Sequence, residues 1–286
     1  MTADTPTPRL TRTHADWLAI LKRNDIRPTR SMGQNFLVEP SVVEHIAEVA
    51  EIGAGDRVVE IGPGMGILSR ELLGRGVSLT GVELDRDLAK FLREDLAPFG
   101  DRFTLVERDA RHVDVDLITE GQPYQVVANL PYSVATVVIR HFVEAANNPT
   151  RLTVMVQREV AERMTAPPPD LSLLGLATQF YADARIAFIV PKDVFLPPPK
   201  VESAVVRMDI RTDFPLTLEQ RDHMFALATM AFQRKRKTIA NGLSQGLDRP
   251  KADIETALSD AGIDPQKRPQ ALSVDEWTII ARTIAA

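Results

Sequence analysis

A glycine-dense turn and three polar side chains each follow a short apolar run of the chain, and their types suit the binding of a nucleoside-like ligand. The turn reads VVEIGPGMG over residues 58–66, and Gly62, Gly64 and Gly66 lack a Cβ atom, so the backbone can turn sharply and a ligand can lie against it. A strand, a tight turn and a helix in this order are what a nucleotide-type cofactor site needs. The alternative is a plain βα turn whose glycines serve only its geometry.

Carboxylates at the ends of the next two apolar runs have the chemistry to hold a sugar and a base. Glu83 can accept hydrogen bonds from both hydroxyls of a ribose, and Asp109 can accept one from an adenine amino group. The alternatives are a solvated carboxylate at Glu83 and a helix cap at Asp109. The turn has the pattern E-x-G-x-G-x-G and lacks the G-K-[ST] of a phosphate-binding loop, which favours S-adenosylmethionine over NAD or ATP.

The segment Asn129-Leu130-Pro131-Tyr132 suits a reaction at an adenine amino group, whose lone pair is delocalised into the ring. The side-chain oxygen of Asn129 and the backbone oxygen of Leu130 could accept its two N–H bonds and hold the lone pair toward a methyl donor. Pro131 stiffens the turn and Tyr132 offers a stacking face, while Phe195, in an exposed-looking proline-rich loop, could cover the other face. The alternatives are a simple proline turn and a loop anchor packed on the core.

Strands that alternate with helices must position these residues. This alternation predicts βαβ units and a mostly parallel sheet covered on both faces, with ligands bound beyond the carboxyl ends of the strands. The last two strands share a short connection and are expected to be antiparallel. The predicted strands are 57–62, 78–84, 103–107, 124–128, 152–156, 185–190 and 203–210. The predicted helices are 16–24, 67–73, 88–96 with Asp85 as N-cap, 134–145, 158–164, 171–180, and one that runs from Ser41 as N-cap to about residue 51.

The pattern changes near residue 213, after which only helices are predicted, over 218–232, 238–247, 251–261 and 273–281. The sequence therefore predicts three parts. Residues 1–15 form a Thr- and Pro-rich extension that is expected to be disordered, residues 16–212 form an α/β domain, and residues 213–286 form a small all-helical C-terminal domain.

Composition excludes several classes of protein. The chain has no cysteine, which rules out disulfides and cysteine-ligated zinc and fits a cytoplasmic location, and its five histidines show no metal-ligand spacing. No apolar run approaches the ~20 residues of a membrane helix, and the N-terminus lacks the apolar core of a secretory signal. The net charge of −5 argues mildly against a nucleic-acid binder, but Arg234-Lys235-Arg236-Lys237 is an unbroken basic run, and residues 9–30 are rich in arginine.

Taken together, these motifs closely resemble the KsgA (RsmA) family of small-subunit rRNA adenine dimethyltransferases. The similar segments extend over residues 17–283 and are QNFL (34–37), VEIGPGMGILS (59–69), VELD (82–85), RDA (108–110), NLPY (129–132), VQREVAERM (156–164), VFLPPPKVESAVV (194–206), AFQRKRKTIANGL (231–243) and PQALSVDEW (269–277). Erm-type rRNA methyltransferases share the fold and QNFL, but the proline-rich segment and the tail are more similar to KsgA. One departure is PPPDLSLLGLATQF (167–180), which lacks the basic residue of the Tyr-Gly-(Arg/Lys)-Leu-Ser stretch common in the family.

The resemblance implies an activity, a fold and a set of site residues. Members of the family have a Rossmann-like class I methyltransferase sheet and use S-adenosylmethionine to add two methyl groups to each of two adjacent adenosines near the 3′ end of 16S rRNA, in a late precursor of the 30S subunit. By position, the cofactor would be contacted by Asn35, Leu37, Gly62, Gly64, Glu83, Asp109 and Asn129, and the target base by Asn129, Leu130, Pro131, Tyr132 and Phe195.

The basic segments acquire a role from the same resemblance. Arg30 and the run Arg234, Lys235, Arg236 and Lys237 would contact rRNA phosphates, the alternative being a solvated face. A cytoplasmic monomer without metal is expected. Two other functions stay open: a methyltransferase for small molecules, and a non-catalytic protein that recognises the immature subunit. The basic run and the helical domain argue against the first, and the intact acidic and NLPY motifs argue against the second.

Overall fold

The computed structural model describes residues 12–24, 26, 28, 34–130 and 135–284, which fold into two compact units. One unit comprises Met1–Ala161 and Arg185–Ile210, and the other comprises Glu162–Ala184 and Arg211–Ala286. The division into domains at residue 213 stays a prediction. None of the helices within the described ranges is long and apolar enough to span a bilayer.

Seven strands form a mostly parallel sheet, and two very short strands form a separate pair. In chain order the strands are β1 (Phe36–Leu37), β2 (Arg57–Ile61), β3 (Ser78–Glu83), β4 (Phe103–Glu107), β5 (Gln125–Asn129), β6 (Arg151–Gln157), β7 (Ala182–Val190), β8 (Phe195–Leu196) and β9 (Ser203–Ile210). The large sheet has the order β4-β3-β2-β5-β6-β9-β7, with β9 antiparallel to β6 and the pairs from β4 to β6 parallel. The predicted fold class is confirmed.

Twelve α-helices lie within the described ranges of the two units. They are α1 (His14–Arg23), α2 (Pro40–Val49), α3 (Ile67–Gly74), α4 (Arg86–Leu96), α5 (Val115–Thr119), α6 (Ala135–Val143), α7 (Arg158–Thr165), α8 (Leu173–Tyr181), α9 (Leu218–Phe232), α10 (Ile239–Leu247), α11 (Lys251–Asp260) and α12 (Val274–Thr283). Helix α4 illustrates why they form, since Leu88, Leu92 and Leu96 recur at intervals of four residues and are all buried. Burying each leucine stabilises the fold by about 1.5–3 kcal/mol.

Capping residues decide where several helices begin. The Asp85 carboxylate accepts hydrogen bonds from the Asp87 and Leu88 N–H groups, so the predicted N-cap of α4 is confirmed. The predicted N-cap of α2 is wrong, because the helix begins at Pro40 and its N-cap is Glu39, whose carboxylate accepts from the Ser41 N–H. Proline suits this first position, since its fixed φ is already helical and the N–H that it lacks would have no helical partner.

The start of the described chain is also more ordered than its composition predicts. Thr13 caps α1 and exchanges hydrogen bonds with Asp16 in a capping box, and the Arg12 guanidinium donates to the Asp95 carboxylate. The expectation of disorder is therefore wrong for residues 12–15, while residues 1–11 lie outside the described residues.

In the second unit, α9 is the central helix. It buries Met224, Leu227 and Ala228 and packs against α8, α10 and α12. The Trp277 ring of α12 stacks on Phe232 of α9 with centroids 5.9 Å apart. The helices predicted for residues 218–281 are confirmed, and their bounds shift by at most two residues.

Candidate active site

The carboxyl ends of β2 and β5 lie side by side where the order of the strands reverses. Strand β2 pairs in parallel with β3 on one side and with β5 on the other. Ile61 lies opposite Ala128, so Gly62 and Asn129 are the next residues of two strands about 4.8 Å apart. Ligands of such sheets bind in the crevice beyond this point. The topology thus brings together two predicted site residues that are distant in sequence.

The glycine turn after β2 has a backbone that any side chain would disturb. Gly62, Gly64 and Gly66 have φ values of 65°, 59° and 76°, in the left-handed region that glycine favours. A Cβ atom on Gly66 would lie 2.9 Å from the Leu92 side chain of α4, and one on Gly64 would lie 3.3 Å from the Phe36 ring. Conformation therefore favours glycine at all three positions, and space favours it at Gly64 and Gly66 as well.

Glu83 closes this turn from the end of β3. Its Oε2 accepts the Gly64 N–H at 3.0 Å, and its Oε1 accepts the N–H groups of Leu84 and Asp85 at 2.9 Å each. The residue is 6% exposed, so its interpretation as a solvated carboxylate is wrong. Burial raises the pKa of Glu83 above its ordinary value, although the three N–H donors oppose the shift. A carboxylate has about four acceptor positions, so Oε2 can accept one further hydrogen bond.

A second buried carboxyl group, Glu60, lies one strand away, and the sequence pattern alone gives it no role. It is 1% exposed, and its Oε2 accepts a hydrogen bond of 2.5 Å from the Ser69 hydroxyl of α3. Burial raises the pKa of Glu60 to about 8, the Ser69 hydrogen bond opposes this shift, and the charge of Glu83 adds to it. Burial therefore favours the protonated form of Glu60. The signal that could have found it is a single acid within an otherwise apolar buried strand.

The QNFL segment is anchored beside the turn. The Gln34 amide donates to the Asp85 carboxylate at 3.0 Å, which links this segment to the end of β3. Asn35 follows and is partly exposed, whereas Leu37 is 3% exposed. Strand β1, which includes Leu37, pairs antiparallel with β8. The contacts of Asn35 and Leu37 with a cofactor stay predictions.

Phe195 lies in this small sheet, opposite Leu37. It is 2% exposed and belongs to the hydrophobic core, so the expectation that the proline-rich loop presents its ring to solvent is wrong. This buried position agrees with the alternative interpretation of Phe195 as a loop anchor packed on the core. The physical reason is the large apolar area of an aromatic ring, which is more stable packed than hydrated. Its contact with a target base stays a prediction.

Asp109 lies two residues beyond the end of β4, and its carboxylate is engaged by its own neighbourhood. The Arg111 guanidinium donates from Nε to both oxygens at 3.0 Å and from Nη2 to Oδ2 at 2.5 Å, and the Arg111 backbone N–H donates to Oδ1 at 3.0 Å. These contacts lower the pKa of Asp109 to about 2. No helix begins here, since α5 is capped by Asp114, so the interpretation of Asp109 as a helix cap is wrong.

Asn129 ends β5 and is half-buried at the crevice. Its amide makes no hydrogen bond to another residue in the described ranges. Leu130 is 1% exposed, and its N–H donates to the Met155 carbonyl of β6 at 3.1 Å, which fixes the backbone just after the strand. Pro131 and Tyr132 lie outside the described residues.

The basic run of the second unit forms the turn between α9 and α10. Lys235, Arg236 and Lys237 are exposed, Arg234 is half-buried, and none of them forms an ion pair with an acid that the structure describes. Thr238 then caps α10, whose N-terminus carries a partial positive charge. This turn concentrates cationic groups in a chain that is acidic as a whole. Arg30, the other predicted RNA contact, lies outside the described residues.

The arrangement can therefore hold an adenosine-like ligand and present an acceptor to an amino group. Gly62, Gly64, Glu83 and Asn129 lie along the carboxyl ends of three adjacent strands, and Asp109 follows the fourth. Within the ranges that the structure describes, no group of three or more His, Asp or Glu side chains could hold a metal ion.

Comparison with known proteins gives a consistent group of relatives. The family model described as Ribosomal RNA adenine dimethylase matches residues 26–286. A protein from Moorella thermoacetica named Ribosomal RNA small subunit methyltransferase A is 39% identical over 278 residues, which covers 93% of this chain and 96% of the relative.

Solved structures agree in fold. The 23S rRNA methyltransferase ErmE is 26% identical with a TM-score of 0.68, over 87% of this chain and 99% of that one. A dimethyladenosine transferase from Plasmodium falciparum is 22% identical with a TM-score of 0.73, over 86% of this chain and 96% of that one, and it supports the fold alone.

Proposed function

This chain belongs to the ribosomal RNA adenine dimethylase family, and from that membership we propose that its substrates are two adjacent adenosines near the 3′ end of 16S rRNA. The protein is an rRNA adenine dimethyltransferase. We propose S-adenosylmethionine as the methyl donor and a late precursor of the 30S subunit, in the cytoplasm, as the particle on which a monomer acts. The relative named for the small subunit supports this choice of RNA.

The residues at the sheet edge fit an adenosine-containing cofactor. The turn at Gly62 and Gly64 lets a ligand approach the backbone closely, Oε2 of Glu83 has an acceptor position for a ribose hydroxyl, and Asp109 has the charge to accept from an adenine amino group. Asn35 and Leu37 would line the same ligand from the QNFL segment. When bound, S-adenosylmethionine supplies an electrophilic methyl group on a sulfonium centre.

Asn129 and Leu130 would orient the target. Their oxygen atoms would accept the two amino N–H bonds of the adenine and so hold the nitrogen lone pair toward the methyl group. As positive charge develops on that nitrogen, the same oxygen atoms stabilise it. The product nitrogen is acidic enough to lose its proton without a dedicated base, so the contribution of the site is positioning. Pro131, Tyr132 and Phe195 are proposed to shape the pocket for the base.

The second methylation places a condition on the same pocket. A monomethylated amine has one N–H bond left, so one of the two acceptors is enough to hold it. The nitrogen must then rotate to present its lone pair again, and the pocket must accept one methyl group. Asn129 is half-buried at the end of β5, which is compatible with this extra volume.

One observation carries the proposal. The register of β2 with β5 places Asn129 next to Gly62, so the proposed target-orienting amide lies beside the proposed cofactor turn. A methyl transfer needs donor and acceptor within about 3–3.5 Å of each other, and adjacent strand ends put the two proposed binding positions side by side.

The test is transfer of labelled methyl groups from S-adenosylmethionine to under-methylated 30S subunits, followed by nucleoside analysis. We expect dimethyladenosine in 16S rRNA, and we expect Asn129→Ala to lower the transfer rate by about 10²–10³-fold, as removal of one catalytic hydrogen-bonding group does elsewhere. Gln122→Ala is the matched control, because Gln122 is exposed and precedes the opposite end of the same strand.

Two outcomes would contradict the proposal. Full transfer by the Asn129→Ala variant would remove this residue from the site. Label found in 23S rRNA of added 50S subunits, and not in 16S rRNA, would identify 23S rRNA as the substrate. ErmE is named as a methyltransferase of that RNA.

The basic turn is proposed to contact rRNA phosphates. Its support is the exposure of Lys235, Arg236 and Lys237 and the lack of ion pairs to described acids, which leaves their charges available to an anionic partner. Arg30 is proposed for the same role from the resemblance. A small-molecule substrate would not require this concentration of positive charge.

A further inference from the structure

The carboxylate proposed to bind the cofactor's adenine is engaged by Arg111 on both of its oxygens. Three N–H groups of Arg111 donate to it: the backbone N–H to Oδ1, an Nη2–H to Oδ2, and the single Nε–H to both oxygens. A carboxylate has about four acceptor positions in total. The guanidinium makes three of the four contacts, so an incoming amino group can take these positions only when the guanidinium leaves.

The contact has the character of an exchangeable one. The Arg111 side chain is 42% exposed and that of Asp109 is 24% exposed. Ion pairs at this exposure contribute little to stability, because water solvates both partners when they separate. Glu83 differs, since its donors are backbone N–H groups that cannot leave.

We propose that Arg111 closes the adenine position of the cofactor site when no cofactor is bound, and that the adenine amino group replaces the guanidinium on Asp109. The inference rests on the proposed function, because it assumes that Asp109 is the adenine acceptor. Arg111 is then a specificity-determining residue: only a base that offers an N–H donor restores the hydrogen bonds that Asp109 gives up.

The contact between Arg111 and Asp109 lowers the affinity of the protein for the cofactor. Part of the binding free energy of the cofactor is used to separate Arg111 from Asp109, so removal of the guanidinium should tighten binding. Since exposed pairs are weak, the expected gain is about two- to five-fold in Kd. The sign of this change is distinctive, because loss of a residue that touches the ligand favourably would weaken binding instead.

Calorimetric titration of the full chain with S-adenosylmethionine and with S-adenosylhomocysteine tests this. We expect Arg111→Ala and Arg111→Gln to bind both compounds about two- to five-fold more tightly than the wild type. Arg108→Ala is the matched control, because it removes an exposed cation of the same segment that makes no hydrogen bond to Asp109 in the described structure, and its Kd should stay at the wild-type value.

A second pair of variants shows whether the gain in cofactor affinity depends on the Asp109 carboxylate. Asp109→Asn should weaken binding, and adding Arg111→Ala to it should give no further gain, since the ion pair is already absent. Equal gains from Arg111→Ala with and without Asp109→Asn would overturn the inference, as would unchanged or weaker binding by Arg111→Ala alone.

The inference and the proposed function fail in different ways. If the wild type binds S-adenosylmethionine and transfers methyl groups but Arg111→Ala binds no more tightly, the closure is wrong and the function stands. If neither wild type nor variants bind S-adenosylmethionine or S-adenosylhomocysteine, the proposed cofactor is wrong and the closure is overturned with it.

Discussion

The acids at the carboxyl edge of the sheet fall into two classes with opposite surroundings. Glu60 and Glu83 are buried, and we refer to them as the buried pair. Their partners are a hydroxyl group and three backbone N–H groups, all fixed by the fold. Asp109 is partly exposed and is held by the exposed guanidinium of Arg111, two residues further along the chain.

This difference changes what each carboxyl group can do. Burial raises the pKa of both members of the buried pair, whereas the Arg111 contacts lower the pKa of Asp109 to about 2. Glu83 holds the glycine turn and Glu60 holds the Ser69 hydroxyl of α3, so neither can be rearranged without loss of structure. The group of the second class can exchange its partner at small cost and is therefore the one suited to respond to a ligand.

The largest expected effect is a dependence of stability on pH through Glu60. The folded protein keeps a proton on Glu60 up to a pKa of about 8, whereas the unfolded chain releases it near 4.5. The free energy of unfolding should therefore fall as the pH rises between these values, by up to about 1.4 kcal/mol per pH unit, and level off above pH 8. Urea unfolding at several pH values measures it.

Glu60→Gln is the control for this dependence of the free energy of unfolding on pH. Glutamine cannot titrate and can still accept the Ser69 hydroxyl, so the variant should lack the part of the pH dependence that Glu60 causes. Equal slopes in wild type and variant between pH 5 and 8 would show that Glu60 has an ordinary pKa and would break the distinction between the two classes.

The next largest effect is expected at Glu83. In Glu83→Gln an amide NH₂ replaces one oxygen and faces backbone N–H donors, so that buried donors lose their acceptor. We expect a loss of about 1–3 kcal/mol in the free energy of unfolding, together with a marked loss of affinity for S-adenosylmethionine. Chemical denaturation and calorimetric titration measure the two quantities.

Glu107→Gln supplies the comparison for this variant. Glu107 lies opposite Glu83 in the register of β3 and β4, but it is exposed and paired with Arg93. Its substitution should change stability by less than about 1 kcal/mol. If both variants lost the same stability, burial and backbone donors would not be what separates Glu83 from a surface acid.

The sequence predicts this edge of the sheet well because the relevant signals are local. An apolar run followed by glycine, an acid or asparagine marks these strand ends, and parallel pairing then brings Gly62, Glu83 and Asn129 to one edge. The same reasoning misses β1 and β8, because two-residue strands distant in sequence leave no periodic signal. It also misplaces the Phe195 ring, whose burial depends on that pairing.

Partners of individual side chains are harder to predict than their positions. Nothing in the pattern RDAR shows that Arg111 turns back onto Asp109, since adjacent charges of opposite sign are often separately solvated. The raised pKa of Glu60 is equally hard to predict from sequence. It is caused by burial, which only the folded chain provides. Sequence thus locates the acids, and the structure separates them into two classes.

The smallest expected effect on stability is at Asp109. Its pKa is lowered from 3.8 to about 2, so its contribution is present above about pH 4 and is lost as the pH falls through 2. Because the pair is partly exposed, Asp109→Asn should change the free energy of unfolding at pH 7 by less than about 1 kcal/mol. The difference in the free energy of unfolding between the wild type and Asp109→Asn should shrink as the pH falls. Unfolding of both proteins at pH 7 and at pH 3 measures it.

The same variant should nevertheless weaken cofactor binding, and this contrast is the strongest test of the comparison. A residue that matters for a ligand but little for the fold must have partners that the fold does not require, as Asp109 has in Arg111. If Asp109→Asn instead lost several kcal/mol of stability, the carboxylate would belong with the buried pair. Its exchange between guanidinium and adenine would then be too costly to occur on binding.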